Sequence, residues 1–216
     1  METYSIHMRI GELSKRTGVP VPTIKYYLRE GLLPSGELTS HNQAQYGEEH
    51  LRRLKLIRAL TEAGKLSVAA AREVLTAVDR PADGLHAVLG VAQQAVTPQV
   101  TPVDTAEWAR AERQVDELVA RHGWQVTAEN PARSALAQLV VTLRELEQDD
   151  LLELLDDYAA AAGRLATAEL AAIARREGVA GKVEGAVVGT VLGDALIAGL
   201  RRLAQEDASH RIFEAR

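Results

Sequence analysis

The amino-acid sequence contains no cysteine in 216 residues, and its aromatic residues amount to only 4% of the chain. The absence of cysteine excludes disulfide bonds, thiolate zinc sites, iron–sulfur clusters and cysteine nucleophiles. The first seven residues lack the basic end and apolar run of a secretory signal. The most apolar stretch, 183–200, includes Glu184 and Asp194, and a charge at the centre of a bilayer costs about 2.5–3.5 kcal/mol. We therefore expect a cytoplasmic protein that does not enter a membrane.

The formal net charge of −5 is divided unevenly along the chain. Residues 1–78 contain 11 lysine and arginine residues against 8 acidic ones, whereas residues 79–216 contain 14 against 22. Three of the seven prolines, Pro81, Pro98 and Pro102, fall where this balance changes, and proline disfavours helix in the residue before it. The pattern indicates a basic module joined to an acidic one.

Two short helices are predicted close to the N-terminus. The first is predicted within the segment 10–19 and ends at Gly18, because glycine readily adopts the left-handed conformation that closes a helix. The second spans residues 20–31, with its prolines at the entry and Gly31 just beyond its exit. Apolar residues occur where such a pair must pack together. This pattern is typical of a helix-turn-helix.

The outer faces of this pair carry basic and hydroxyl side chains that suit a DNA duplex. Lysine and arginine neutralise phosphates, threonine and tyrosine hydroxyls donate to phosphate oxygens, and long side chains near a helix start reach base edges. The residues concerned are Lys15, Arg16, Thr23, Lys25, Tyr26 and Arg29. The simpler alternative is a solvated basic surface over an ordinary core.

A wing and two further helices are predicted after the pair. Residues 37–46 are polar, short and rich in turn-forming residues, as in a β-hairpin. Residues 48–61 have apolar residues at helical spacing. The remaining face of that helix carries Arg52, Arg53, Lys55 and Arg58. Ser67 is the predicted N-cap of the last helix of this module.

The order of these elements and several local motifs resemble a known family. The motifs are the run Thr23-Ile24-Lys25-Tyr26-Tyr27, the exit Gly31-Leu32-Leu33-Pro34, and the spacing of Tyr46, Leu51, Arg53, Leu54 and Ile57. Over residues 8–78 the chain resembles the N-terminal winged helix-turn-helix of the MerR family of transcription regulators. The chain departs from the family pattern in the wing, where Asn42 to Tyr46 contain no arginine.

The resemblance implies a homodimer whose second helices enter successive major grooves of double-stranded DNA, with each wing on the flanking backbone. It also implies a pseudo-palindromic promoter site that the protein bends and untwists, so that RNA polymerase engages both promoter elements. The implied DNA-binding residues are Lys15, Arg16, Thr23, Lys25, Tyr26, Tyr27, Arg29, His41, Asn42, Gln43 and Gln45.

The acidic half is predicted to be entirely helical. Asp104 is a predicted N-cap, and Asn130-Pro131 has the pattern of a cap followed by a first-turn proline. A strongly amphipathic helix then carries Leu136, Leu139, Val140, Leu143 and Leu146. The predicted fold is therefore mainly α, with a winged helix-turn-helix followed by an all-α helical bundle. The predicted domains are a DNA-binding domain at 8–78, a connector with a short helix at 79–103, and an effector or dimerisation domain at 104–216.

The last predicted helix contains glycine every fourth residue, at 181, 185, 189 and 193. Four glycines inside a helix cost about 3–4 kcal/mol relative to alanine unless close packing offsets the loss. Three explanations stay open: a tight helix crossing within one subunit, a crossing between two subunits, or a helix that is broken near Gly181 and Gly185.

The acidic half could sense a small-molecule effector, or it could only dimerise and contact partner proteins. The six histidines are scattered without ligand spacing, so we expect no metal site, and no phosphate loop or catalytic constellation is present. We expect neither a cofactor nor an enzyme. The alternative to a DNA-binding regulator is a helical dimerisation or protein-interaction scaffold with a degenerate DNA-binding head.

Overall fold

The computed structural model describes residues 7–40, 43–80 and 84–214. The chain divides into two compact units. The first unit consists of Met1–Ala95 together with Gly178–Arg216, and the second is Val96–Glu177. Over the described residues the architecture is mainly helical with one two-stranded sheet, which confirms the predicted fold class.

The helix-turn-helix at the start of the first unit is formed by α1 (Ile10–Thr17) and α2 (Val21–Arg29). Gly18 ends α1 with a φ of 71°, and its backbone N–H donates to the Ser14 carbonyl at 2.8 Å. This left-handed cap confirms the predicted stop. The two helices pack through buried side chains that include Leu13 and Ile24.

The predicted hairpin is present as β1 (Glu37–Ser40) and β2 (Gln43–Gln45), which pair antiparallel. A further bridge joins Met8 to Tyr46, with N–H···O distances of 2.9 Å in both directions. This bridge attaches the base of the wing to the segment that enters α1.

Three helices follow in the first unit. The first is α3 (Glu48–Arg58), which continues into a π-helical turn at Ala59–Ala63. Next come α4 (Val68–Asp79) and α5 (Gly84–Val96). Ser67 caps α4 as predicted, because its hydroxyl accepts from the backbone N–H of Ala70 at 3.1 Å.

The long helix α10 (Gly178–Ser209) completes the first unit and continues into a π-helical turn at His210–Glu214. The helix is continuous, so the explanation of a break near Gly181 and Gly185 is wrong. It packs against α4 and the π-helical turn after α3. The contact with that turn is close, since a Cβ built on Gly64 would lie 2.1 Å from Cγ1 of Val191.

The grouping of α10 with the N-terminal helices differs from the predicted domain of 104–216. The physical reason for this difference is the burial of one side of α10, where Val183, Ala186 and Val187 are fully shielded from solvent. By length and composition this helix is also apolar enough to cross a membrane. The buried apolar residues in its first half form part of the core of the first unit.

The second unit contains α6 (Ala106–Arg121), α7 (Pro131–Glu145), α8 (Asp149–Leu152) and α9 (Leu155–Ala174). Two details of its helices correct the sequence predictions. Thr105, not Asp104, caps α6, because the extended backbone of Thr105 lets its hydroxyl accept from the N–H of Trp108 at 3.2 Å. In α7 the buried face carries Ala137, Val140 and Val141, and these residues pack around Trp108.

The predicted leucine face of α7 is accordingly only partly internal. Leu143 packs against the edge of the core, whereas Leu136, Leu139 and Leu146 are exposed. The residues of α7 that fill the core around Trp108 are small or β-branched, so its leucines lie at the edge of the core or in solvent.

Candidate nucleic-acid interface

Helix α2 has one face in the core and one face in solvent. Ile24 is fully buried, whereas Lys25 and Arg29 are exposed. The Tyr26 side chain is 37% exposed and Thr23 is half-buried. Within the described residues, neither Lys25 nor Arg29 forms an ion pair. The cations of this face are therefore available to phosphates.

Tyr27 does not belong to the same face and is a correction to the predicted DNA-binding set. Its side chain is 8% exposed, and it contributes to the core next to Ile24. Helical periodicity is the reason, because a residue three positions after Ile24 returns to the same side of the helix. The backbone carbonyl of Tyr27 also accepts from the N–H of Leu32 at 2.9 Å, which shapes the exit from α2.

The two basic residues predicted on α1 differ in their surroundings. Lys15 is exposed. Nη1 of Arg16 lies 2.8 Å from Oε1 of Glu48, at the start of α3. Both side chains of this pair are more than a third exposed, so solvent screens the interaction and Arg16 remains at the surface.

The predicted wing contacts are only partly described. Gln43 is exposed and Gln45 is half-buried, whereas His41 and Asn42 lie outside the described residues. The most exposed apolar side chain of the wing is Leu38, at 79%.

The base of the wing is held by His50, a buried residue of α3. Its Nδ1 accepts from the N–H of Gly47 at 3.0 Å, and its Nε2 lies 3.4 Å from the Ser35 carbonyl. The imidazole meets the Tyr46 ring edge-on, with 5.2 Å between the ring centroids, and burial raises the pKa of Tyr46. The wing therefore leaves the domain from a fixed base.

Two arginines of α3 have an internal role that the sequence prediction missed. Nε of Arg53 donates to the Leu32 carbonyl at 2.8 Å, and its two terminal nitrogens bind the Asp79 carboxylate, each at 2.8 Å. The Arg53 side chain is only 12% exposed. It therefore links the exit of α2 to the end of α4.

Arg58 makes the second internal link. Its Nη1 donates to the Thr17 carbonyl at 2.9 Å, at the end of α1, and its other nitrogens bind Glu62.

The sequence signal that could have identified the internal role of Arg53 is its spacing from His50 and Ile57, which places it on the buried side of α3.

Comparisons with known proteins agree with this geometry. The family model described as MerR HTH family regulatory protein matches residues 8–78. A solved structure, SCO5550 from Streptomyces coelicolor A3(2), is 38% identical and superposes with a TM-score of 0.71, covering 97% of this chain and 99% of that one. The assignment of SCO5550 as a transcriptional regulator is provisional. This chain belongs to the MerR family. Its winged helix-turn-helix is that of a DNA-binding transcription regulator.

Curated members of the MerR family match the N-terminal part of the chain. A ZntR homolog of Haemophilus influenzae, described as an HTH-type transcriptional regulator, is 52% identical over 50 residues, or 23% of this chain and 37% of that protein. The mercuric resistance operon regulatory protein of Bacillus cereus is 41% identical over 56 residues, or 26% of this chain and 42% of that protein. The nodulation protein NolA of Bradyrhizobium elkanii is 45% identical over 56 residues, 26% of each chain.

The chain thus spans less than half the length of these curated relatives. The shared region contains the helix-turn-helix and the wing. The relatives are named as regulators or as a nodulation protein, and not as enzymes.

Proposed function

We propose that the protein is a cytoplasmic transcription regulator that binds a pseudo-palindromic promoter site as a homodimer and regulates transcription by distorting the DNA. The observation that carries the proposal is the solvent face of α2, where Lys25 and Arg29 are exposed and Tyr26 is partly exposed. Residues 8–78 act as the DNA-binding domain, with residues 79–103 as the connector. Distortion of the site would align promoter elements for RNA polymerase.

The charge of the helix-turn-helix supports a duplex as the partner. Between Arg9 and Arg29 the chain has five basic residues and one acidic residue, Glu12. A net charge of this sign along two adjacent helices attracts phosphates and releases counterions on binding. In this proposal, Thr23, Lys25, Tyr26 and Arg29 contact DNA from α2, Lys15 and Arg16 lie near the backbone, and Gln43 and Gln45 contribute from the wing with His41 and Asn42.

A second copy of this chain is the proposed occupant of the exposed face of α10. Leu196, Leu200 and Leu203 follow one another at helical spacing, and their side chains are 66%, 65% and 65% exposed. Exposed apolar patches of this kind mark interaction sites. Residues 194–214 carry three arginines and four acidic residues, so two copies would not repel strongly. Because α10 is packed on α4, pairing there would fix the distance between two recognition helices.

The DNA-binding test begins with genome-wide mapping of the fragments that the protein binds in its native cell. On a recovered fragment, replacing Lys25 or Tyr26 by alanine should weaken binding by about 1–3 kcal/mol and leave the dimer intact. Arg164→Ala, at an exposed arginine of α9, is the control for Lys25→Ala, because it also removes one positive charge. Unchanged affinity in both α2 variants would place the recognition surface elsewhere.

Salt dependence separates a regulator from a scaffold with a degenerate head. For a regulator, the logarithm of the binding constant should fall linearly with the logarithm of the salt concentration, with a slope of about −0.9 per neutralised phosphate. A scaffold would show no such slope on any recovered fragment.

The dimer surface has its own test. Leu200→Glu should convert the dimer to a monomer in analytical ultracentrifugation, because it places two carboxylates in an apolar contact. Leu170→Glu, at a 46% exposed leucine of α9, should leave the dimer unchanged. A Leu200→Glu dimer of normal stability would reject α10 as the interface.

A further inference from the structure

One groove of the second unit is lined mainly by basic side chains, although the unit as a whole is acidic. Residues 96–177 contain eight arginines, no lysine and fifteen acidic residues, which gives a net charge of −7. Four of the eight arginines nevertheless line a single groove, which has a volume of about 350 Å³. Its lining residues are Arg110, Arg113, Gln114, Glu117, Arg121 and Arg144.

The groove is built from one face of α6 and one residue of α7. Residues 110, 113, 117 and 121 recur at intervals of three or four, so they follow one another along the same side of α6. Arg144 reaches this face from α7. The volume falls within the range of about 300–1,000 Å³ that is usual for small-molecule sites.

Two of the four guanidinium groups are fixed in position by protein partners. The Arg144 side chain is 15% exposed, with Nη1 donating to Glu107 at 2.7 Å and Nη2 donating to Oε1 of Gln114. Arg121 binds both carboxylate oxygens of Asp156, at 3.2 and 3.0 Å, and these hydrogen bonds lower the pKa of that carboxyl. These two arginines form the rigid part of the groove.

The other two guanidinium groups are uncommitted. Arg110 and Arg113 are exposed, and within the part of the chain that the structure describes neither forms a hydrogen bond or an ion pair. Counted together, the four arginines face three carboxylates, those of Glu107, Glu117 and Asp156. The groove therefore keeps positive charge, and the ten guanidinium N–H groups of Arg110 and Arg113 have no partner among the described residues.

The chemistry of the groove selects the class of ligand. The planar fork of arginine binds carboxylate and phosphate groups through two parallel hydrogen bonds. The lining contains no apolar side chain, so a hydrophobic ligand would gain little. A long nucleic acid would extend over the acidic surface of the unit and be repelled, whereas a small anion interacts mainly with charges within about 8–10 Å.

We propose that the arginine groove of the second unit binds a small molecule with two or more phosphate or carboxylate groups, through Arg110 and Arg113. The proposal adds a ligand class to the all-helical unit and does not depend on DNA binding by the first. The two fixed arginines orient the anion, and the two uncommitted arginines supply the donors that close around it.

The test is calorimetric titration of the full-length protein at constant ionic strength, with inorganic pyrophosphate and with citrate as separate probes. We expect saturable binding of at least one probe, and the better probe distinguishes a phosphate ligand from a polycarboxylate. The double variant Arg110→Gln/Arg113→Gln should bind that probe about tenfold more weakly or worse, since each lost pair of charged hydrogen bonds is among the strongest in proteins.

The matched control is Arg164→Gln/Arg175→Gln, which removes the same charge from exposed positions of the same unit outside the groove. This control should bind like the wild type, and circular dichroism should report unchanged helix content in both double variants. Absence of saturable binding for both probes overturns the proposal. Equal weakening in the control also overturns it, because the attraction would then be a general property of the charge of the unit.

Discussion

On α2, Lys25 and Arg29 are exposed and form no ion pair with another described residue, whereas on α3 the guanidinium groups of Arg53 and Arg58 bind backbone carbonyls. Both helices are basic in sequence, but Arg53 and Arg58 are engaged by groups of the protein, whereas Lys25 and Arg29 are available to an external anion. Arg53 and Arg58 hold α1, the exit of α2 and α4 in place, whereas Arg52 and Lys55 of the same helix are exposed. The number of charges on a helix therefore does not identify an interface. What identifies it is whether each charged side chain already has a partner within the protein.

Arg53→Ala tests the internal side of this comparison and should have the largest effect. The substitution removes the hydrogen bond to Leu32 and the bidentate pair with Asp79, and it leaves the Leu32 carbonyl without this donor. We expect the free energy of unfolding to fall by about 2–3 kcal/mol in urea titrations. The loss is no larger because Asp79 is 56% exposed, so solvent screens its charge.

Asp79→Asn is the control for this prediction. It weakens the ion pair but keeps the bond from Arg53 to Leu32, so its cost should be clearly smaller. Equal costs for the two variants would mean that the link to the exit of α2 contributes nothing.

Gly64→Ala tests the packing of α10 on the same region and should have the next largest effect. The new Cβ would lie 2.1 Å from Cγ1 of Val191 and 2.8 Å from the Leu60 carbonyl, so both neighbours would have to shift. Overpacking of this kind costs about 1–3 kcal/mol, which thermal unfolding would detect. Addition of Val191→Ala should recover part of the loss, and no recovery would show that α10 is not the source of the conflict.

The sequence was sufficient for local features of the fold. Gly18 and Ser67 act at the helix ends where residue chemistry places them, and residues 84–96 form the predicted short helix. These features depend on backbone conformations and hydrogen bonds within a few residues. The outward face of α2 followed from the same local periodicity.

The features that the sequence could not provide depend on contacts between distant segments. The return of α10 to the N-terminal unit requires knowledge of where Val183 and Val187 are buried, and periodicity does not contain that information. The links made by Arg53 and Arg58 reach partners 26 and 41 residues away. The sequence was therefore sufficient to identify the outer face of α2. The tertiary structure was needed to separate the residues that are exposed on the surface from those that pack in the core or link helices.

Lys25→Ala tests the external side of the comparison, and its effect on folding should be small. The side chain is exposed and takes part in no ion pair among the described residues, so the free energy of unfolding should stay within about 0.5 kcal/mol of the wild type. Urea titrations of Lys25→Ala and Arg53→Ala under the same conditions provide the comparison. A loss in Lys25→Ala as large as that in Arg53→Ala would mean that α2 also uses its cations internally.

The pair between Arg58 and Glu62 should give the smallest effect, visible only as a dependence on pH. Hydrogen bonds from Arg58 lower the pKa of the Glu62 carboxyl in the folded protein. A lowered pKa stabilises the fold above the pKa of the unfolded glutamate, about 4.3, and this stabilisation is lost as the pH falls through the folded value. Thermal unfolding from about pH 5 to about pH 3 should therefore be slightly less sensitive to acid in Glu62→Gln than in the wild type. The control is Glu73→Gln, at an exposed glutamate of α4 that has no ion pair among the described residues, and its acid sensitivity should match that of the wild type. If Glu62→Gln also matches the wild type, solvent screens the pair between Arg58 and Glu62 completely.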